Sequence, residues 1–332
     1  MYGDRGNRLR NWAKDLGGLA LYYPGQLVMS GLPRRLLDPT ARVGGAVARG
    51  LAGNGDQMRA ELRALWGNRQ LPRAEDDIIA DAFRMAMFNE LEVLRYPRLS
   101  PTTIDSVCGL EGRHHLDQGL SRGNGVIVLI GHFGANQMIM PALGHNGYQV
   151  NQLSAPPTVW ADILKDSRNT PMWGRVLARR WALEQTLPVR HIDVFKFLRP
   201  AFRCLQDNQV LGLAFDGGGG NRWTQVSFLG RTANISTQAF ELWAKTKATL
   251  LPTIVLRPCG QARHRVVIGE PMVWSEQCPA TQQLQANAQA YVDWFCQWVQ
   301  RHPSHYLQFL AMRRRVASSD RQPMFNDYPV YQ

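Results

Sequence analysis

Val126-Ile127-Val128-Leu129-Ile130-Gly131-His132-Phe133-Gly134-Ala135-Asn136-Gln137 is the stretch whose reading decides the fold. Five consecutive apolar residues lie between Gly123-Asn124-Gly125 and Gly131. A strand with one wet face alternates polar and apolar side chains; an unbroken run like this one reads as a strand buried on both faces of a parallel sheet. His132 then stands where strand passes into loop. Ligands of α/β folds gather just beyond the carboxyl ends of strands, so an imidazole at that exit is well placed to move protons. Residues 137–143 are apolar enough for a helix laid on the sheet, provided that Pro141 falls in its first turn.

Working outward, the chain alternates strand and helix on both sides of this run. Strands are expected at 125–130, 149–153, 189–192, 210–215, 250–256 and 265–268, with helical stretches at 173–187, 199–207 and 237–246 between them. Such alternation predicts an α/β fold, a mostly parallel central sheet flanked by helices. Residues 1–115 read as a helical region, with apolar groups at helical spacing in 58–66 and 77–88 and Pro72 between them. Residues 116–315 form the α/β core and 316–332 a C-terminal tail. Leu284, Ala288, Tyr291, Trp294 and Trp298 mark an amphipathic helix docked on the sheet.

With 332 residues and 45% hydrophobic side chains, the chain can bury a large core. Its net charge of +12, from 38 Lys+Arg against 26 Asp+Glu, favours anionic partners such as phosphates, acidic carrier proteins or anionic lipid. Cys108, Cys204, Cys259, Cys278 and Cys296 show no CxxC spacing, which argues against a disulfide framework or a zinc site and for a reducing, cytosolic compartment. The apolar patch at 19–32 is broken by Pro24, Gly25 and Gln26, too short to span a bilayer. With Arg34, Arg35 and Arg42 beside it, it reads either as a segment lying at a membrane interface or as a packed N-terminal hairpin.

The run Leu110-Glu111-Gly112-Arg113-His114-His115-Leu116-Asp117, then Gly123-Asn124-Gly125, then Gly131-His132-Phe133-Gly134-Ala135-Asn136 resembles the lipid A biosynthesis (lauroyl/myristoyl) acyltransferases of the lysophospholipid acyltransferase superfamily. Asp216 closing a strand, Phe228-Leu229-Gly230 followed by Thr232, and Pro303-Ser304-His305-Tyr306-Leu307 agree with it; the similarity runs loosely over residues 60–315. The resemblance implies transfer of an acyl group from a thioester donor, on acyl carrier protein or coenzyme A, to a hydroxyl or amine of a lipid or other acceptor. It also implies peripheral attachment to the inner face of a bacterial membrane, and no cofactor.

The superfamily signature is His, four residues, then Asp or Glu; here the position five after His132 is Gln137. An acid beside the imidazole would fix its tautomer and stabilise the imidazolium; glutamine can orient the ring but supplies no charge. Three readings follow: an introduced acid-to-amide change that weakens turnover, a natural residue serving an amine acceptor, or a degenerate site that only binds lipid or acyl carrier.

The remaining candidates are read on the same footing. His132 is expected to act as general base and Gln137 to orient it. Asn136, through its amide, or Gly134, through its backbone, is expected to donate to the oxyanion. Asp216, before the loop Gly217-Gly218-Gly219-Gly220, borders the cleft or caps a turn. The resemblance places Phe228 and Gly230 near the acyl cleft, with Arg222 and Arg231 available to donor phosphates. Arg257, just past the strand at 250–256, suits an anionic donor or headgroup or is an ordinary surface arginine. The glycines fit neither dinucleotide nor P-loop spacing, and there is no G-x-S-x-G elbow. Nucleic-acid binding rests only on net charge and Arg313-Arg314-Arg315, without a recognisable module.

Overall fold

Nine strands are present among the described residues: β1 (Cys108–Glu111), β2 (Val126–Ile130), β3 (Val150–Ser154), β4 (Arg190–Asp193), β5 (Val210–Ala214), β6 (Trp223–Phe228), β7 (Arg231–Ser236), β8 (Thr249–Leu256) and β9 (His264–Ile268). The computed structural model describes residues 2–52, 54–67, 69–164, 170–196, 198–261, 263–318 and 322–328. Seven strands form one sheet in the order β1-β9-β8-β2-β5-β3-β4. All its pairings are parallel except β8 with β9. The apolar run is therefore the middle strand, and every residue of β2 is buried.

Alternation along β2 sends its side chains into two different cores. Ile127 and Leu129 join Tyr291 and Phe295 of the helix Ala280–Arg301 on one face, while Val126, Val128 and Ile130 meet Phe88 and Leu91 on the other. Pro141 lies in the first turn of the helix Ile139–His145, after the short 3-10 turn Asn136–Met138.

Among the described residues the long helices before the sheet are α1 (Tyr2–Tyr22), α2 (Pro24–Gly31), α3 (Leu37–Ala52), α4 (Gly55–Trp66) and α5 (Glu75–Val93), and a single turn, Ile104–Val107, leads into β1. Packing of α3 on α5 is close because Gly45 has no side chain; a Cβ there would sit 2.8 Å from the backbone nitrogen of Arg84. Asp38 of α3 pairs with Arg84 of α5, and both are buried. The helices α4 and α5 share their apolar residues with the cores of the sheet.

Two features are absent from the reading of the sequence. Strand β1 is an edge strand four residues long, whose composition carries no alternation. The antiparallel pair β6–β7 stands apart from the main sheet, joined by Leu229 and Gly230, both at positive φ, as a two-residue hairpin of this hand requires. The segment after the helix Ser304–Arg315 returns along β7, where Met324 accepts from the Asn234 N–H (2.8 Å) and Phe325 is fully buried. Residues 319–321 and 329–332 of the expected tail lie outside the described residues.

Candidate active site

Strands β2 and β5 are parallel neighbours with Ile130 opposite Ala214. His132 and Asp216 each lie two residues beyond that pair, so the two chains leave the sheet side by side and at the same level. Nδ1 of His132 is 2.7 Å from Oδ1 of Asp216. The other carboxylate oxygen accepts the His132 backbone N–H (2.9 Å) and the Tyr306 hydroxyl (2.8 Å). A carboxylate only accepts, so in this pairing Nδ1 is the donor and Nε2 is the ring's acceptor nitrogen. The imidazole lies flat on Phe309, ring centres 4.4 Å apart, and its side chain is 38% exposed while Asp216 is sealed. The arrangement can take a proton at Nε2 and hold the resulting imidazolium against a buried anion.

The loop after His132 is fixed from behind. Gly134 has φ +63° and forms a bridge to Val255; a Cβ there would lie 2.0 Å from the Val255 carbonyl oxygen, so no other residue fits. Its N–H donates to the His305 carbonyl (2.8 Å), and its own carbonyl accepts from Asn89 Nδ2 (3.2 Å). His305 in turn accepts the Arg257 N–H at Nε2 (3.2 Å). Burial, helped by His302 and by the cations Arg257 and Arg84, pulls the His305 imidazole down to about 3, so it stays neutral and keeps that bond. The Gln137 side-chain amide donates to the Asn89 backbone carbonyl (2.8 Å), and the Tyr96 hydroxyl donates to the Gln137 backbone carbonyl (3.3 Å).

The profile of the bacterial lipid A biosynthesis acyltransferases matches this chain over residues 16–314. The chain belongs to that family. No curated protein matches it. Among solved structures it is similar to the 1-acyl-sn-glycerophosphate (LPA) acyltransferase PlsC from Thermotoga maritima, at 13% identity and a TM-score of 0.34, with 80% of this chain and 99% of that one covered.

Of the residues singled out in this acyltransferase family member, Asp216 is the one that the fold brings to His132. Gln137, expected to orient the ring, is turned away to Asn89, and the ring's partner is Asp216 instead. Gly134 cannot serve as oxyanion donor because His305 already takes its N–H. Asn136 is half-buried at the start of the 3-10 turn, and its amide has no partner among the described residues. Arg257 is neither a surface arginine nor open to an anion. It is wholly buried against Phe88 and bonded to Glu92 (2.6 Å), the Asn89 side chain (2.8 Å) and the Met85 carbonyl (3.1 Å). Arg231 is likewise sealed, between Glu61 (2.8 Å) and Asp327 (2.6 Å). Phe228 is packed among Phe295, Tyr306 and Phe325, and Gly230 forms the β6–β7 turn, so both build the hairpin. Arg222 is 77% exposed just before β6, 3.7 Å from Glu241.

Tyr306, Phe309 and Asn89 were not identified as site residues from the sequence. Tyr306 and Phe309 are three apart on one helix and so share a face, a signal that was legible once that helix was known to pass the sheet. Asn89 sits mid-helix on α5, and nothing in its neighbourhood in the sequence distinguishes it.

Proposed function

We propose that this protein transfers an acyl group from a thioester on acyl carrier protein or coenzyme A to a hydroxyl or amine of a lipid acceptor, with His132 as general base and Asp216 as the acid that orients it. The observation that carries this reading is the Nδ1–Asp216 contact of 2.7 Å, a sealed carboxyl under an imidazole side chain that is itself partly exposed. A proton leaves the acceptor for Nε2 as its heteroatom attacks the thioester carbonyl. The tetrahedral intermediate then expels the thiolate, to which the imidazolium returns the proton. Asn136 is the side-chain donor we assign to the oxyanion. The alternative of a binding protein without activity drew its support from Gln137, and Asp216 supplies the missing carboxylate.

We place the site at a membrane surface. Among the described residues no helix is long and apolar enough to cross a membrane. Exposed apolar side chains concentrate instead on α1–α3 and the turns between them: Leu16, Tyr23, Leu27, Val28, Val43, Val47 and Leu51, with Arg35 exposed among them. Val43, Val47 and Leu51 recur every four residues, which puts them on one outward face of α3 and suits a helix lying in the headgroup region. The positive charge would steer an acidic carrier toward the same side. The test is acyl transfer from acyl-carrier and acyl-CoA donors to lipid acceptors in vesicles, read as thiol release and acylated product. Activity that vanishes in His132→Ala supports the reading; equal turnover by that variant rejects it.

A further inference from the structure

Gln137 occupies the position where the family signature has an acid, yet its amide faces a backbone carbonyl rather than the imidazole. We infer that Gln137 is a positioning residue: its N–H donation to the Asn89 carbonyl locks α5 to the loop that presents His132, and an acid there would break the lock. Asn89 is the joint. Its carbonyl takes the Gln137 amide at 2.8 Å, its Nδ2 holds the Gly134 carbonyl at 3.2 Å, and its Oδ1 is held by Arg257 at 2.8 Å. Two of these bonds tie the two ends of the loop 134–137 to one residue of α5, and the third fixes that residue's side chain to Arg257. Arg257 is itself anchored by Glu92, so the joint cannot slide.

The chemistry of this contact separates amide from acid. An ionised carboxylate at 137 has no hydrogen to give and would set two oxygens of like partial charge against each other. A protonated carboxylic acid would donate as the amide does. The charged and titratable groups bearing on the joint are Arg257 on the Asn89 side chain, Tyr96 on the Gln137 carbonyl, the neighbouring Glu90 with Arg180 and Tyr22, and His132 upstream. All are shared by wild type and the uncharged Gln137→Met, so that variant's ratio sets the baseline, and only a pH dependence particular to Gln137→Glu reports the new acid.

The activity arm of the test rests on the reading above; a stability arm does not. Gln137→Glu, Gln137→Met and wild type are compared from pH 8 to pH 5 for kcat/KM and for Tm. At pH 8 both variants fall about tenfold below wild type in kcat/KM, the size of one lost hydrogen bond of ~1.4 kcal/mol. On acidification the Gln137→Glu ratio climbs to within about threefold as the new acid protonates. The Gln137→Met ratio stays flat. The Tm deficit of Gln137→Glu shrinks over the same range, because a carboxyl whose folded pKa is raised adds stability at low pH that is lost as pH rises through that value. If Gln137→Glu equals or exceeds wild type at pH 8, or if its ratio and its Tm deficit do not change with pH, the inference is overturned. Should wild type transfer no acyl group, the functional reading fails while the Tm comparison still decides the role of Gln137.

Discussion

The Tyr306 hydroxyl lies 2.8 Å from Asp216 Oδ2, the same oxygen that receives the backbone N–H of His132. The acid is thus held from the helix Ser304–Arg315 as well as from the loop it serves. Burial and the adjoining Asp216 push the Tyr306 hydroxyl well above its ordinary value, so it remains a donor throughout the working range of pH.

Tyr306→Phe keeps the ring packing against Phe228 and Phe309 and removes this one donor. We expect kcat to fall roughly tenfold with KM little changed, and stability to drop by about 1–3 kcal/mol, as a buried acceptor loses a partner. Steady-state kinetics and denaturant titration check both.

His305 makes stability depend on pH. Burial holds its imidazole at about 3, far below the ordinary histidine value of 6.5. The stability it contributes is therefore present above the unfolded value and is lost as pH falls from about 6.5 toward 3, because the unfolded chain takes up the proton first. His305→Gln retains an acceptor for the Arg257 N–H and cannot titrate. The variant should lose markedly less stability than wild type across that window, the gap widening as pH falls. Chemical denaturation at pH 7, 5 and 4 measures it; parallel curves for the two proteins would contradict the assignment.

The outward face of α3 gives a third expectation. Val43 and Val47 are 68% and 58% exposed, so replacing both with Gln removes no core contact. The double variant should keep its Tm and bind anionic vesicles about tenfold or more weakly, at roughly 1 kcal/mol for each side chain withdrawn from the interface. Vesicle sedimentation reads the partition; unchanged binding would remove this face from the membrane contact.

Much of this site was legible in the sequence because its two chemical residues close apolar strands. His132 and Asp216 each follow a run of buried aliphatic residues, and strand exits can be read from hydrophobicity alone. That the two strands are neighbours could not be read, since strand order is a property of chain crossovers and not of any one segment. Arg257 shows the converse. It too follows an apolar strand, but the partners that seal it, Glu92, Asn89 and Met85, come from α5, more than 160 residues earlier. Phe228 and Gly230 were assigned to a cleft by their motif, whereas the hairpin they build needs an alternation at 223–236 that the polar residues between them carried plainly.

Replacement of Asp216 with Asn leaves a group of equal size that no longer stabilises the imidazolium and permits the wrong tautomer. Measured as single-turnover acyl transfer at saturating donor, with Tm confirming the fold, Asp216→Asn should be slower than wild type by about three to four powers of ten. A variant that transfers acyl groups within a few-fold of the wild-type rate would contradict the pairing of His132 with Asp216 as the reacting centre.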